Sequence, residues 1–181
     1  AIAKKAREQD IEVLVDGAHS FAHLDFKIPD LDCDYYGTSL HKWMCAPFGT
    51  GMLYIKEDKI SKINPLFPND DTESGDIRKF EHLGTRSFPA EMAVKNALDF
   101  HLNIGAKTKE TRLRYLKDYW MDKVMDLPKI KFYTSQKAEF AGALSTFGIE
   151  GKNGFEIERE LFRDYRIHTS PVVVEAIDGV R

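Results

Sequence analysis

The sequence lacks several features that would assign it to a special class of protein. No apolar run approaches the roughly 20 residues that a membrane-spanning helix requires. The formal net charge is −3, so no general attraction to nucleic acid or to an anionic membrane is expected. The two cysteines, Cys33 and Cys45, form no C-x-x-C pair, so no metal site is predicted. We therefore expect a globular chain in a reducing, cytoplasmic setting, with neither nucleic acid nor a membrane as a partner.

The chain also lacks an initiator methionine and a residue that would cap its first helix. Residues 1–9 are good helix formers from the first position onward. At the other end, Arg181 directly follows a run that has the character of extended structure. Both ends are therefore predicted to cut through regular structure, and we expect this sequence to be part of a longer protein.

The first 104 residues have the pattern of an α/β protein. Residues 11–15 form a short β-branched run that predicts a buried strand, and residues 34–38 predict a second short strand. Residues 52–55 predict a third strand, which should be antiparallel because the turn at 46–51 is too short for a crossover helix. A helix is predicted over 90–104, with Ser87 as its cap and Pro89 in its first turn.

From about residue 105 the pattern changes to that of a small α+β domain. The predicted elements are a helix over 106–126, strands over 130–133 and 141–149, a helix over 155–165, and extended pieces at 166–169 and 171–174. The basic side chains of the first of these helices are predicted to form a solvated face, since acidic residues are interleaved among them. The sequence thus predicts two domains, 1–104 and 105–181.

An acid and a lysine follow the first two predicted strands. Asp16 comes directly after Val13–Val15, and Lys42 comes a few residues after the strand at 34–38. Ligands of α/β proteins bind at the carboxyl edge of the sheet, so both side chains are expected in one pocket. A lysine that acts as a nucleophile must be shielded, and Trp43 and Met44 could shield Lys42. Taken singly, a solvated surface lysine and an aspartate that caps a turn are the ordinary alternatives.

Three short motifs resemble those of the class-V aminotransferase family of fold-type-I pyridoxal-phosphate (PLP) enzymes. The motifs are Asp16-Gly17-Ala18-His19, Ser39-Leu40-His41-Lys42 and Gly84-Thr85-Arg86. Within the family, the sequence is most similar to the isopenicillin-N-epimerase-like and cysteine-desulfurase-like group. The resemblance implies that residues 1–104 are the later part of the PLP-binding large domain, a mostly parallel sheet with helices. Residues 105–181 would then be an incomplete small α+β C-terminal domain.

The resemblance also implies a role for each matching residue. Lys42 would form the Schiff base with pyridoxal 5′-phosphate, and Asp16 would keep the pyridine nitrogen protonated. Ala18 and His19 would contact the cofactor ring, and Ser39 and His41 would bind its phosphate. Thr85 would reach the phosphate in the partner subunit, which implies a homodimer with shared active sites. Arg181 would bind the carboxylate of an amino-acid substrate.

The reaction itself is left open by the sequence. Chemistry at the α-carbon of an amino acid through Lys42 could give epimerisation or transamination. A β-eliminating lyase, a cysteine desulfurase and a non-catalytic remnant of the fold are the alternatives. A desulfurase of this family needs a cysteine in the segment before Arg181, and residues 166–180 contain none. The desulfurase is therefore the alternative that the sequence favours least.

Overall fold

The computed structural model describes residues 2–67, 71–82, 84–85 and 88–181. The chain divides into two compact units, Ala1–Ala106 and Lys107–Arg181. The boundary expected near residue 105 lies close to this division, while the assignment of the two parts to a large and a small domain of one family stays a prediction. Each unit contains a sheet of its own.

The first unit consists of a three-stranded sheet with a helix before it and a helix after it. Its elements are α1 (Ile2–Arg7), β1 (Leu14–Asp16), β2 (Tyr35–Ser39), β3 (Gly51–Ile55) and α2 (Pro89–Ile104), with short 3-10 helices at Ile28–Leu31, Glu57–Lys62 and Ile77–Phe80. The strand order is β1-β2-β3, and β1 is parallel to β2. Strand β3 is antiparallel to β2, which confirms the prediction from the short turn. The predicted cap Ser87 lies outside the described residues.

Strand β1 begins later than the sequence predicts. The Val13 amide donates to the Asp34 carboxylate at 2.8 Å, and the amides of Asp34 and Tyr35 donate to the Val13 carbonyl at 3.0 and 3.1 Å. The ladder proper therefore starts with the pair Leu14 and Tyr35. Ile11, which was predicted to lie in the strand, is 60% exposed, so the prediction is wrong for the first residues of the run.

One face of this sheet packs on an apolar core. Tyr36, in the middle of β2, is completely buried. The core cluster consists of Ala22, Leu40, Met44, Ala46 and Ala97, with Phe21, Trp43, Met52 and Val94 packed against it. Burying an aliphatic side chain of this size stabilises the fold by roughly 1.5–3 kcal/mol. Because Leu40 and Met44 are anchored in the core, the segment between them is held in place.

The other face of the same sheet is more exposed. Residues that pair across neighbouring strands share a face, so Asp16, Gly37 and Leu53 lie together. Leu53 is 56% exposed, and Leu14, two residues before Asp16 and on the same face, is 65% exposed. The cleft described below opens at one edge of this sheet.

The second unit is a four-stranded antiparallel sheet with two long helices. Its elements are α3 (Ala106–Val124, which begins one residue before the unit), β4 (Ile130–Phe132), β5 (Phe147–Ile149), α4 (Gly154–Tyr165), β6 (Pro171–Val174) and β7 (Ile177–Val180), with a 3-10 helix at Ala138–Phe140. The strand order is β4-β5-β7-β6. Helix α4 begins with a capping box, in which Asn153 and Glu156 bind each other's backbone amides.

Several predictions for this unit are wrong. Of the strand predicted over 141–149, only the last three residues pair in the sheet. Arg166, the first residue of the extended piece predicted at 166–169, is not extended, because it has φ of 58° and closes α4. The run of extended character expected before Arg181 pairs as strand β7, and the sheet has four strands where two or three were expected. The basic face of α3 is not wholly solvated either, since Lys117 is buried and Arg114 donates to the carbonyls of two later residues.

Candidate functional site

A cleft of about 550 Å³ opens where β1 and β2 end. It is lined by Leu14, Val15, Asp16, Ala18, Gly37, Thr38, Ser39 and Lys42. Because β1 and β2 are parallel and Asp16 pairs with Gly37, the carboxyl ends of the two strands meet at one edge. Four of the predicted site residues, Asp16, Ala18, Ser39 and Lys42, therefore line one cavity.

Asp16 is followed by a tight turn, and only glycine fits at position 17 of that turn. One carboxylate oxygen of Asp16 accepts a hydrogen bond from the Ala18 amide at 2.9 Å. A Cβ on Gly17 would lie 1.9 Å from Cζ of the buried Tyr36 ring, so a side chain there would clash. The hydroxyls of Tyr36 and Thr38 both donate to the Gly17 carbonyl at 3.3 Å. Strand β2, which precedes Lys42 in the chain, thus fixes the turn that follows Asp16.

The second carboxylate oxygen of Asp16 remains available for a ligand. In the described ranges it has no hydrogen-bond partner, and Asp16 is exposed at the cleft. An anion in this position favours a cationic group close to it. A protonated ring nitrogen is one such group.

Lys42 lies on a turn whose flanking residues are anchored in the core. Leu40 and Met44 are 7% and 5% exposed, while Lys42 between them lines the cleft. The Cys45 amide donates to the Lys42 carbonyl at 3.1 Å, and the Ala46 amide donates to that of Leu40 at the same distance. Met44 therefore belongs to the core, and its shielding of Lys42 stays a prediction.

His19 does not line the cleft but stands beside Lys42, and its contact with the cofactor ring stays a prediction. Its Nε2 lies 3.5 Å from the Lys42 Nζ. The indole Nε1 of Trp43 donates to His19 Nδ1 at 3.4 Å. Trp43 in turn stacks on the buried His23, with ring centroids 4.0 Å apart and planes at 23°. The contacts of Trp43 and His23 were not predicted, and the spacing of four between His19 and His23 is the one signal of them in the sequence.

His41 does not line the cleft. Its Nδ1 is enclosed and has no hydrogen-bond partner among the residues described. Its ring packs against that of Phe48 at 5.2 Å, and Phe48 itself is 88% exposed. An enclosed nitrogen without a partner indicates that the hydrogen bonding of this side chain is incomplete. The phosphate-binding role of His41 stays a prediction.

Two other predicted residues lie outside the lining of this cleft. Thr85 is exposed in the short described segment 84–85, and Arg86 of the same motif lies outside the described residues. Arg181 follows β7 in the second unit, where its backbone exchanges hydrogen bonds of 2.8 and 2.9 Å with Ser170. The roles of Thr85 and Arg181 stay predictions.

The residues of the cleft suit a flat cofactor that carries an aldehyde and a basic ring nitrogen. They supply a carboxylate, a hydroxyl and a primary amine from Asp16, Ser39 and Lys42. Gly37 leaves the floor open, since a Cβ there would meet nothing within 4 Å. The volume of about 550 Å³ is within the range of cofactor sites. In the described residues no group of three or more His, Cys, Asp or Glu side chains could hold a metal ion.

Comparison with known proteins gives consistent matches along the chain. The family model described as aminotransferase class-V matches residues 1–170. Isopenicillin N epimerase of Streptomyces clavuligerus is 26% identical over 186 residues, which cover 93% of this chain and 47% of that protein. A probable cysteine desulfurase of Halalkalibacterium halodurans is 31% identical over 173 residues, which cover 90% of this chain and 41% of that protein.

Solved structures match the fold as well. A C-DES mutant with glycine covalently linked to its PLP cofactor has a TM-score of 0.76 and 25% identity, over 90% of this chain and 44% of that one. The chain thus spans about half the length of the relatives that it matches. Of the helices in the described ranges, none has the length and apolar character to span a bilayer.

Proposed function

The chain belongs to the class-V aminotransferase family, and from this premise we propose that its protein is a PLP-dependent enzyme acting at the α-carbon of an amino acid. The observation that carries the proposal is the placement of Asp16 and Lys42 in one cleft at the carboxyl edge of a parallel strand pair. The C-DES mutant, similar in sequence and fold, carries PLP, which supports the same cofactor here.

Each residue of the cleft would contribute one part of the chemistry. When bound, PLP supplies an aldehyde that condenses with amines and a ring that takes up electrons. Lys42 would hold PLP through its amine, and the same amine would remove the proton at the substrate α-carbon. Asp16, with one oxygen held by the Ala18 amide, presents the other oxygen to a protonated ring nitrogen.

The remaining predicted residues would hold the cofactor and the substrate. Ala18 and His19 would contact the ring, while Ser39 and His41 would bind the phosphate, for which a hydroxyl and an imidazole N–H are suitable donors. Arg181 would bind the substrate carboxylate through its planar guanidinium group.

Two further parts of the proposal concern assembly and location. Thr85 is exposed and outside the lining of the cleft, which suits a residue that reaches the cofactor of a partner subunit. We therefore propose a homodimer with shared active sites. A cytoplasmic location is proposed from the low cysteine content.

The central test replaces Lys42 in the full-length protein. Lys42→Ala should abolish both the covalent retention of PLP after borohydride reduction and the turnover, because no other amine lines the cleft among the described residues. Loss of the proton transfer alone would lower the rate roughly 10²- to 10⁴-fold. Lys27→Ala, at an exposed lysine of the same unit, is the control. Covalent PLP and normal turnover in Lys42→Ala would contradict the proposal.

A desulfurase or β-eliminating lyase is the second candidate. The 31% identity to a probable cysteine desulfurase supports it, while the absence of cysteine from residues 166–180 opposes the desulfurase. Cys45 is exposed three residues after Lys42, whereas Cys33 is buried. Incubation with cysteine separates the candidates, since a desulfurase leaves a protein persulfide and a lyase releases pyruvate. Epimerisation or transamination of amino acids without either product would support the first proposal.

A further inference from the structure

The buried hydroxyl of Tyr36 lies on the core side of the turn that follows Asp16. The side chain of Tyr36 is completely buried, and its ring packs against those of Phe21 and Phe26, with centroids 6.3 and 6.1 Å apart. Because successive residues of a strand point to opposite faces, Tyr36 lies on the face opposite Gly37 and does not line the cleft. A buried hydroxyl needs hydrogen-bond partners, and those of Tyr36 are in the turn.

The Tyr36 hydroxyl contacts both ends of this turn, residues 17–20. The Ser20 amide donates to the Gly17 carbonyl at 3.0 Å, which closes the turn. The Tyr36 oxygen lies 2.8 Å from the Ser20 hydroxyl oxygen and, at a longer 3.3 Å, from the Gly17 carbonyl oxygen. Thr38 also donates to the Gly17 carbonyl, but the Tyr36 hydroxyl contacts Ser20 as well. One buried oxygen of β2 therefore joins the two ends of turn 17–20.

The direction of the two hydroxyl protons does not alter this connection. A carbonyl oxygen only accepts, so the Tyr36 hydroxyl donates to Gly17 and accepts the proton of the Ser20 hydroxyl. In the reverse order Tyr36 would donate to Ser20, and the Ser20 hydroxyl would donate to the same carbonyl at 3.4 Å. Burial raises the pKa of Tyr36, so the phenol keeps its proton at neutral pH. Both orders give an unbroken chain of hydrogen bonds between the strand and the turn.

We propose that Tyr36 is a positioning residue, whose hydroxyl holds turn 17–20 and thereby keeps the Ala18 amide against the carboxylate of Asp16. That amide lies inside the turn and donates to one Asp16 oxygen at 2.9 Å. A shift of the turn would therefore displace the donor that orients the carboxylate at the cleft. The inference rests on the proposed function for its catalytic meaning, whereas the hydrogen bonds themselves are independent of the cofactor.

Hydrogen exchange of the full-length protein without PLP tests the contact between strand and turn. Tyr36→Phe keeps the ring and removes the hydroxyl. The amides of Ser20 and Phe21, which both donate to the Gly17 carbonyl at 3.0 Å, should then exchange roughly two- to tenfold faster, the range for one hydrogen bond of ordinary strength. The amides of β3 should keep their rates. Unchanged rates in the turn, or an equal acceleration in β3, would overturn the proposal.

Tyr54→Phe is the matched control for this measurement. Tyr54 lies in β3 at the position that pairs with Tyr36, so the variant removes a tyrosine hydroxyl from the neighbouring strand. Its exchange rates in turn 17–20 should equal those of the wild type. An equal acceleration in both variants would show that the effect is not specific to the Tyr36 hydroxyl, which would overturn the proposal.

A double-mutant cycle on PLP affinity shows whether Tyr36 acts through Asp16. In the full-length protein, Tyr36→Phe should weaken PLP binding roughly two- to tenfold. In a protein that already carries Asp16→Asn, the same change should have a clearly smaller effect, because the carboxylate that the turn positions is gone. Equal losses in the two backgrounds would overturn the proposal, since a merely structural role of Tyr36 predicts them.

Ser20→Ala decides the question if Tyr36→Phe does not fold. It removes the shorter of the two contacts of the Tyr36 hydroxyl, so faster exchange of the Phe21 amide and weaker PLP binding are expected again. Wild-type values for both would overturn the proposal. The exchange measurement needs no cofactor, so its failure is distinguishable from a failure of the proposed function, which the Lys42→Ala variant tests.

Discussion

Each of the two sheets contains a glycine within a strand, but the surroundings of the two glycines differ. The glycine of the first sheet borders open space, and the glycine of the second sheet contacts the backbone of a neighbouring strand. Gly37 lies in β2, and a Cβ there would meet nothing within 4 Å. Gly179 lies in β7, and a Cβ there would be 2.1 Å from the Phe147 carbonyl oxygen of β5. Glycine inside a strand ordinarily weakens the strand, so the presence of glycine at both positions requires an explanation. In the first sheet the reason is a cleft, and in the second it is close packing.

The side chains around the two glycines also differ: those of the first sheet are polar, and those of the second sheet are aromatic. Gly37 lies in a cleft that is also lined by a carboxylate, hydroxyls and an amine. The second sheet instead carries an aromatic cluster, in which Trp120 lies 5.7 Å from Phe132 and 5.5 Å from Phe147. Aromatic pairs of this kind stabilise a fold but offer no reactive group. On this comparison we expect the chemistry at the first sheet and close packing at the second.

The largest loss of stability is expected from Gly179→Ala. The added carbon meets the backbone of β5, which cannot rotate away, and overpacking costs about 1–3 kcal/mol and occasionally more. We expect a loss at the upper end, about 3 kcal/mol, with reduced hydrogen-exchange protection in the second unit. Gly75→Ala, where a Cβ meets nothing within 4 Å, is the control. If Gly179→Ala were as stable as Gly75→Ala, the contrast between the two sheets would fail.

Gly37→Val should have the opposite outcome. Valine suits a strand, and no atom within 4 Å opposes its Cβ, so stability should be unchanged or slightly higher. The side chain would occupy the cleft, so PLP affinity should fall roughly 10- to 100-fold, as about 1–3 kcal/mol of overpacking would give. Titration of PLP absorbance measures the affinity, and thermal unfolding measures the stability. Tight PLP binding by Gly37→Val would show that the cofactor site lies elsewhere.

Local sequence patterns were sufficient to predict the part of the site that depends on the order of the strands along the chain. An acid after one predicted strand and a lysine after the next predict a shared edge, and Asp16 and Lys42 do line one cleft. The antiparallel direction of β3 followed from the length of its turn. These features depend on spacing along the chain, which the sequence contains directly.

Other features depend on contacts between distant residues and were missed. The predicted strand at 141–149 is shortened at its start, where the carbonyl of Ala141 accepts a hydrogen bond from Arg114. Lys117 was expected in solvent but is 3% exposed. The hydrogen bond from Trp43 to His19 joins residues 24 positions apart. No local pattern specifies such partners.

The smallest effect is expected at the end of β1 and β2 away from the cleft, where Glu12 and Tyr35 interact. Burial and the hydrogen bond from its hydroxyl to Glu12 at 2.7 Å raise the pKa of Tyr35 to about 12. Because this pKa is above the ordinary value near 10, the contribution to stability is present below about pH 10 and is lost as the pH rises through about 12.

Glu12→Gln removes the charge but not the burial, and burial is the larger cause of the shift. The pKa of Tyr35 should therefore fall and yet stay above 10, which the pH dependence of tyrosinate absorbance measures. Glu57→Gln, at an exposed acid, is the control and should leave that titration unchanged. PLP affinity should be the same in both variants, since neither residue lines the cleft. A loss of PLP affinity in Glu12→Gln alone would mean that the chemistry is not confined to the carboxyl edge of the first sheet.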